Sequence, residues 1–337
     1  MLTDIAIRGL SGPLARKIFH RAMSNRACIF ALHRKEDEAT GIQGVGVNYL
    51  REALEALRLS GAKFVPLKWM INEWVAGRSV DSNSIAFTID DGFADQAELV
   101  KSVFVPMHCP VTVFLITGFL DRKLWPWDDQ LSYAFRRCRA TNLSVTLAAE
   151  TFNLQLDTEN ARRASLLRVR DHFKSIPGDN LYEAVAEVAN LLEVQLPTQP
   201  PPEYRPMTWQ EARALEAIGV DFGPHSVSHR IFSHLPPQDA HQEIAESWLR
   251  LRQELRDPLS ILAWPTGRLA DFAPRDMLLA RELGLQAAVA TNDGYAHIIA
   301  KDPLTLYQIS RFTLPNDIRG VLRYGSWLER GRQLLPV

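Results

Sequence analysis

Cysteine is scarce in this chain. Cys28, Cys109 and Cys138 are the whole complement of 337 residues. Odd in number and far apart, they offer neither a disulfide framework nor a CxxC zinc pattern, and they read as reduced core residues. A surplus of either charge is also missing, with 38 Lys+Arg against 39 Asp+Glu. No run of like charge occurs, so the long basic stripe of a nucleic-acid binder is not expected. Long apolar runs are absent too. The longest candidate, VTVFLITGFL at 111–120, carries Thr and Gly and falls well short of the ~20 residues that span a bilayer. The N-terminal MLTDIAIRGLSGPLARKIFHRAMSNR lacks the apolar segment of a secretory signal. No transmembrane segment and a cytoplasmic location are therefore expected. Residues 4–23 read as an amphipathic helix packed on the protein, with peripheral contact to a membrane surface as the alternative.

What the chain does have is apolar content, 46%, enough for a sizeable core in one large or two ordinary domains. Short apolar runs alternate with helical patterns. The strand candidates are 27–32, 62–67, 84–89, 111–117, 220–223, 260–264, 285–291 and 305–310. Between them NYLREALEALRLSG spaces its leucines by three and four and closes on glycine. Thr208 and Glu211 form a capping box at the head of EARALEAIG. Repeated strand–helix alternation points to a parallel sheet with helical crossovers, and so to an α/β barrel. Residues 140–160 break the rhythm: SVTL and FNLQL, separated by AAET, read as a β-hairpin, and two helical segments follow. The expected organisation is an N-terminal helical extension over 1–25 and a barrel over 26–337, with an insertion at about 132–206. No internal repeat is visible.

Two stretches carry chemistry. SIAFTIDDGFAD, residues 84–95, ends an apolar strand on two adjacent carboxylates. Like charges at the lip of a core repel, and at least one needs a cation or a proton; a solvated Asp-Gly turn is the bland alternative. FGPHSVSHRIFSHL, residues 222–235, places His225 and His229 four apart after another strand. On a helical turn that spacing puts both imidazoles on one side. Each motif alone is weak. Together, at the same end of their strands, His225, His229 and Asp91 make a His₂Asp hydrolytic zinc site with positions open for water. Gly92 lets the chain turn so that both carboxylates border one site, Asp91 binding the metal and Asp90 acting as general base.

These residues resemble the polysaccharide deacetylase family, chitooligosaccharide-deacetylase-like and of carbohydrate esterase family four. Thr88-Ile89-Asp90-Asp91-Gly92 is similar to the family's Thr-Phe-Asp-Asp-Gly, and His225-Ser226-Val227-Ser228-His229 to its His-Ser/Thr-x-x-His. VTVFLITGFLD, MTWQEARALEAIGVDFGPHS and LAWPTGR look similar as well, so the resemblance covers roughly 27–130 and 205–315. It implies a distorted (β/α) barrel and metal-dependent removal of an acyl group from an amino sugar. In the family the first aspartate of the motif is the base, and the second binds the metal with the two histidines.

The sequence also departs from that pattern. The proline motif, Leu262-Ala263-Trp264-Pro265-Thr266-Gly267, has neither the family's arginine nor its tyrosine. Thr266 can still offer the backbone N–H that the tyrosine gives to an oxyanion. The C-terminal Leu-x-His is not visible. IFALHRKEDE resembles the Tyr-His-Arg stretch of a branch that deacetylates poly-N-acetylglucosamine, which makes His33 the candidate general acid and His297 the runner-up. Trp264, Pro265, Asn292 and Arg311 are expected at the substrate, with Arg311 also placed to pair with a carboxylate. Trp125 and Trp127 read as plugs of a barrel end, Asp128 and Asp129 as helix N-caps, and His108 and His234 as surface or supporting residues.

The resulting expectation is a divalent-metal hydrolase, with Zn²⁺ favoured by the ligand set. It would act on an N-acylated amino sugar in a polysaccharide or oligosaccharide. The alternatives are a deacylase of a lipid-linked or small amino sugar, and a binding protein that kept the barrel without turnover.

Overall fold

The computed structural model describes residues 2–19, 23, 25–147, 150–176, 180–298 and 302–334. Its strands are β1 (Arg26–Leu32), β2 (Lys63–Phe64), β3 (Ser84–Ile89), β4 (Val111–Leu115), β5 (Asn142–Leu147), β6 (Glu150–Gln155), β7 (Asp221–Pro224), β8 (Ile261–Ala263), β9 (Ala287–Ala290), β10 (Ala296–His297), β11 (Ile309–Ser310) and β12 (Phe312–Thr313). Strands β3 and β4 are buried along their whole length, as expected of parallel strands covered on both faces. Each large apolar side chain hidden here, such as Phe87 or Phe114, contributes about 1.5–3 kcal/mol.

β1, β3, β4 and β7 run parallel as neighbours, and β8, β9 and β11 form a second parallel sheet. The Leu259 N–H reaches the Phe222 carbonyl across the gap between β7 and β8, where no ladder forms among the described residues. On the opposite side the last strand closes the wall. Ile309 pairs with Val289 of β9, whereas Phe312 pairs with Phe30 of β1. Arg311 is the residue at which the chain crosses from one sheet to the other. The fold is thus the α/β barrel that the alternation predicts, distorted as the family resemblance implies, its wall divided between two sheets.

Two expected strands shrink to two residues each. The run 62–67 keeps only β2, because Pro66 heads the helix Leu67–Val75. The run 305–310 keeps only β11, because Asp302-Pro303 starts a 3₁₀ turn over Pro303–Tyr307, with the Asp302 carboxylate accepting from the Leu304 N–H. The hairpin forms as β5 and β6, and the Thr208–Glu211 capping box is present. The two helices after the hairpin, Glu159–Phe173 and Leu181–Leu191, share one apolar core with it and with the helix Trp127–Arg137. The described part of residues 1–25 holds two helices, Leu2–Ser11 and Pro13–Phe19. Residues 1, 20–22 and 24 of the expected N-terminal segment lie outside the described residues. Buried Arg16 anchors this segment through the Ser60 hydroxyl at 2.9 Å and the Gly325 carbonyl at 2.6 Å. The three cysteines are buried and free. No helix among the described residues is long and apolar enough to cross a membrane.

Candidate active site

The C-terminal ends of the parallel strands converge on a cavity of about 310 Å³. That is where a barrel places its chemistry, because loops leaving different strands meet over one rim. His33 follows β1, Asp90 and Asp91 follow β3, His225 follows β7, Trp264 and Thr266 follow β8, and Thr291 follows β9. All of them line this cavity.

Adjacent Asp90 and Asp91 diverge because the backbone turns between them. Asp91 has φ +86° and Gly92 +89°, so the left-handed region is entered one residue before the glycine expected to provide it. A side chain at Gly92 would come within 2.8 Å of Leu120 and 2.9 Å of Leu115. Buried Gln96 secures the turn, accepting from the Gly92 N–H at 3.1 Å and donating to the carbonyls of His33 and Asp90. Ser226, His229 and Thr266 also take positive φ. Four non-glycine residues held at unfavourable dihedrals around one cavity indicate structure spent on a site.

The two carboxylates meet opposite surroundings. Asp90 is buried, and Arg311 grips it bidentately, Nη1 to Oδ1 at 2.8 Å and Nη2 to Oδ2 at 2.7 Å. The same guanidinium donates to the Thr88 and Thr291 hydroxyls at 2.9 and 3.1 Å. Burial alone would raise the Asp90 pKa, but the charge and hydrogen bonds of Arg311 outweigh it and hold the group below the usual carboxylate range. Arg311 is itself fully buried behind Asp90. The expectation that it contacts substrate is therefore corrected: its guanidinium is taken up by Asp90 and by the Thr88 and Thr291 hydroxyls.

Asp91 has no such cation. Its Oδ1 lies 3.4 Å from His225 Nε2 and 3.7 Å from His229 Nε2, buried and without a hydrogen bond of ordinary geometry. Burial again acts to raise its pKa, and the imidazoles of His225, His33 and His229 overcome this and drive it far down. Burial would likewise lower His225, but Asp91 and Asp90 pull it above its ordinary value; His229 stays below, burial prevailing. The His225 Nδ1 sits 2.7 Å from the Ala263 carbonyl, an acceptor that fixes the proton on Nδ1 and leaves the Nε2 lone pair facing Asp91. Donors each ~2.0–2.1 Å from one tetrahedral ion stand roughly 3.4 Å apart. The observed spacings and the unpartnered buried oxygen fit that requirement, so Asp91, His225 and His229 can hold a metal ion together.

The histidine motif is not helical, as its spacing suggested, but a loop. The Ser226 hydroxyl accepts from the His229 N–H at 2.9 Å, and the Glu243 carboxylate accepts from the Val227 and Ser228 N–H groups at 2.9 Å each. At Gly118 a side chain would press within 2.6 Å of the Val227 carbonyl, so only glycine admits the loop so close. Trp127 donates to the His229 carbonyl at 3.1 Å, and Tyr182 to that of Ser228 at 2.8 Å.

Other expected positions separate. His33 lies 3.8 Å from Asp90 and is 44% exposed, open to proton exchange. Thr266 lines the cavity, its hydroxyl donating to Asp271 at 2.5 Å, and no acceptor takes its backbone N–H among the described residues. Trp264 forms part of the wall while its ring stacks on Phe272 and its indole N–H binds the Tyr307 carbonyl. Pro265 and Asn292 stay outside the wall, Asn292 turning to the Ser310 hydroxyl. His297 is far from the rim, paired with Asn25 at the start of β1. Trp125 and Trp127 are buried, Trp127 in the apolar core of the hairpin and its helices and Trp125 among Phe93, Phe119 and Tyr204.

Asp128 and Asp129 are not N-caps. They occupy the first turn of Trp127–Arg137, whose N-cap is Pro126, and both face the cavity. Asp128 lies 3.7 Å from His229 Nδ1, on the far side of the imidazole from Asp91. Asp129 sits 3.5 Å from Arg34, and burial together with neighbouring Asp128 pushes its pKa well up. Nothing local marked these two, since a carboxylate pair opening a helix is an ordinary capping signal.

The polysaccharide deacetylase family model matches residues 77–288. Among solved structures, the Streptococcus pyogenes deacetylase PplD in complex with acetate has TM-score 0.57 and 15% identity over 89% of this chain and 98% of its own. IcaB from Ammonifex degensii has TM-score 0.56 and 12% identity over 89% and 97%. A de-N-acetylase from Aggregatibacter actinomycetemcomitans has TM-score 0.54 and 12% identity over 89% and 99%. A search of curated proteins gives no match. The family match spans well over half of the sequence and contains Asp90, Asp91, His225 and His229, and the chain belongs to the polysaccharide deacetylase family.

Proposed function

We propose that this protein is a zinc-dependent N-deacetylase of an amino sugar. The observation that carries this reading is the convergence of Asp91, His225 and His229, with the Asp91 Oδ1 3.4 and 3.7 Å from the two Nε2 atoms and all three ligand atoms within 4.8 Å of one another, beside an arginine-clamped Asp90. Asp91 and the two Nε2 atoms would hold the ion, which when bound supplies Lewis acidity toward water and the acyl carbonyl. Asp90 takes the proton of the attacking water. Its clamp on Arg311 keeps it ionised and fixed in direction, and leaves a modest base that is always in its working form. The Thr266 N–H donates to the oxyanion of the tetrahedral intermediate. His33, solvent-exposed and next to Asp90, delivers a proton to the departing amine. Acetate in the PplD structure is the kind of product such a step releases.

One feature favours a short or terminal sugar over the middle of a polymer. The helix Glu159–Phe173 and the residue just after it bring Arg170 and Lys174 into the cavity wall, which narrows the site on one side. The test is metal analysis of the purified protein together with acetate release from chito-oligosaccharides of increasing length. Bound zinc with release supports the reading; zinc without turnover of any acylated sugar removes it. Activity that does not fall with length removes the preference for short substrates.

A further inference from the structure

The cavity contains two cations that the deacetylation chemistry does not use. Arg170 lies in the last turn of Glu159–Phe173 and Lys174 four residues later, and both line the wall facing the site. Neither side chain forms an ion pair or hydrogen bond among the described residues, and Arg170 Nε is a buried donor without a partner. A buried donor left unmade costs about 1–3 kcal/mol, so its persistence in a cavity wall points to a ligand acceptor.

The nearby carboxylates do not account for the pair. Asp128 is directed at His229 and Asp129 at Arg34. Asp271 is taken by Arg268, which grips it at 2.8 Å, and by the Thr266 hydroxyl. Burial and the adjacent Arg170 hold the Lys174 pKa below its ordinary value against the upward pull of Asp128 and Asp271, so the carboxylates nearby only partly offset the two cations. Spaced by four, a guanidinium fork and an ammonium present the donors that an oxyanion group accepts.

We propose that Arg170 and Lys174 form an anion subsite that binds a phosphate or carboxylate carried by the amino-sugar substrate. This rests on the deacetylase reading for its substrate and adds a selectivity: the acylated sugar, or its immediate neighbour, is acidic. The cations come from the elements outside the barrel strands, so the barrel supplies the reaction and the added helix supplies the choice of sugar.

The experiment compares kcat/KM of the full chain on N-acetylglucosamine, its 1-phosphate, its 6-phosphate and N-acetylmuramic acid. An acidic sugar is preferred over the neutral one by at least about tenfold, and the phosphate and muramic acid arms separate the two sources. Arg170→Gln with Lys174→Gln lowers that ratio by about tenfold or more, chiefly through KM, and the charge-preserving Arg170→Lys with Lys174→Arg restores much of it. Equal use of neutral and acidic sugars by the wild type overturns the proposal. So does a double variant whose ratio is unchanged while both classes fall together. If no sugar is turned over, calorimetric binding of the same four sugars decides separately: acidic binding lost in the double variant keeps the subsite while the deacetylase reading falls, and no acidic preference in binding removes the subsite.

Discussion

The barrel rim and the hairpin-and-helix region over 142–191 meet at one cavity, but they hold their functional groups by different means. At the rim, parallel strands fix the backbone, and the reactive residues sit within five positions of the strand ends, with strained turns at Asp91, Ser226, His229 and Thr266. In the second region apolar packing does the holding, through a core that runs from Leu131 and Phe135 to Val145, Leu154, Val169 and Val188. Polar groups there emerge at helix ends, where Tyr182 braces the histidine loop and Arg170 and Lys174 line the cavity. The difference teaches that reaction geometry needs rigid backbone placement, whereas side-wall contacts tolerate a separately packed unit.

The largest expected effect tests the division of labour within the rim. Asp90→Asn lowers acetate release by at least about 10²–10⁴-fold with metal content retained, whereas His229→Ala lowers metal content itself; equal metal loss in both would sink the assignment. Arg311→Met comes next. It leaves the Asp90 charge buried without its partner and costs about 3–5 kcal/mol in denaturant unfolding, and a loss under about 1 kcal/mol would show that the clamp is not needed. On the other side of the comparison, Leu154→Ala opens a cavity in the second core at about 2–5 kcal/mol. Amide exchange should accelerate over 142–191 with metal content unchanged; equal acceleration in β3 and β7 would make the two regions one cooperative unit.

Asp128→Asn joins the regions, because its helix packs with the second core while its carboxylate faces His229. It should weaken zinc binding by about 10–100-fold, measured by competition with a chelator, and unaltered affinity would leave Asp128 without a supporting role. The smallest effect concerns the barrel's outer helices. Burial would raise the Asp121 pKa, but the hydrogen bonds from Arg250 and Trp209 hold it below its ordinary value. A carboxylate lowered on folding adds stability that is present above about pH 4 and lost as pH falls through its lower folded pKa. Arg250→Gln should therefore flatten the loss of stability as pH falls below about 4, read from unfolding midpoints, and an unchanged slope would assign that loss to other groups.

Much of this was legible because the signals are local. Thr88 to Gly92 carries both a buried strand and its turn, and His225 with His229 follows a second strand within a few residues. The helical geometry assumed for that pair was wrong, since Ser226 and Glu243 impose a loop with the same convergence. From sequence Arg311 reads as a substrate contact that can also pair with a carboxylate; its contact with Asp90 spans 221 positions and exists only because the chain crosses between sheets at that residue. Asp128 was hidden by an ordinary local role. Arg170 and Lys174 belonged to a helix with no visible link to the motifs.

The sequence by itself determined the strand–helix alternation, the turn chemistry and the residue types able to bind a metal, because dihedral preference and hydrophobic period act over a few neighbours. Only the tertiary structure decided which charges face each other. Barrel closure sets Arg311 against Asp90, and the packing of the second core brings two unpaired cations to the same cavity. Such pairings depend on distances through space that chain separation does not constrain.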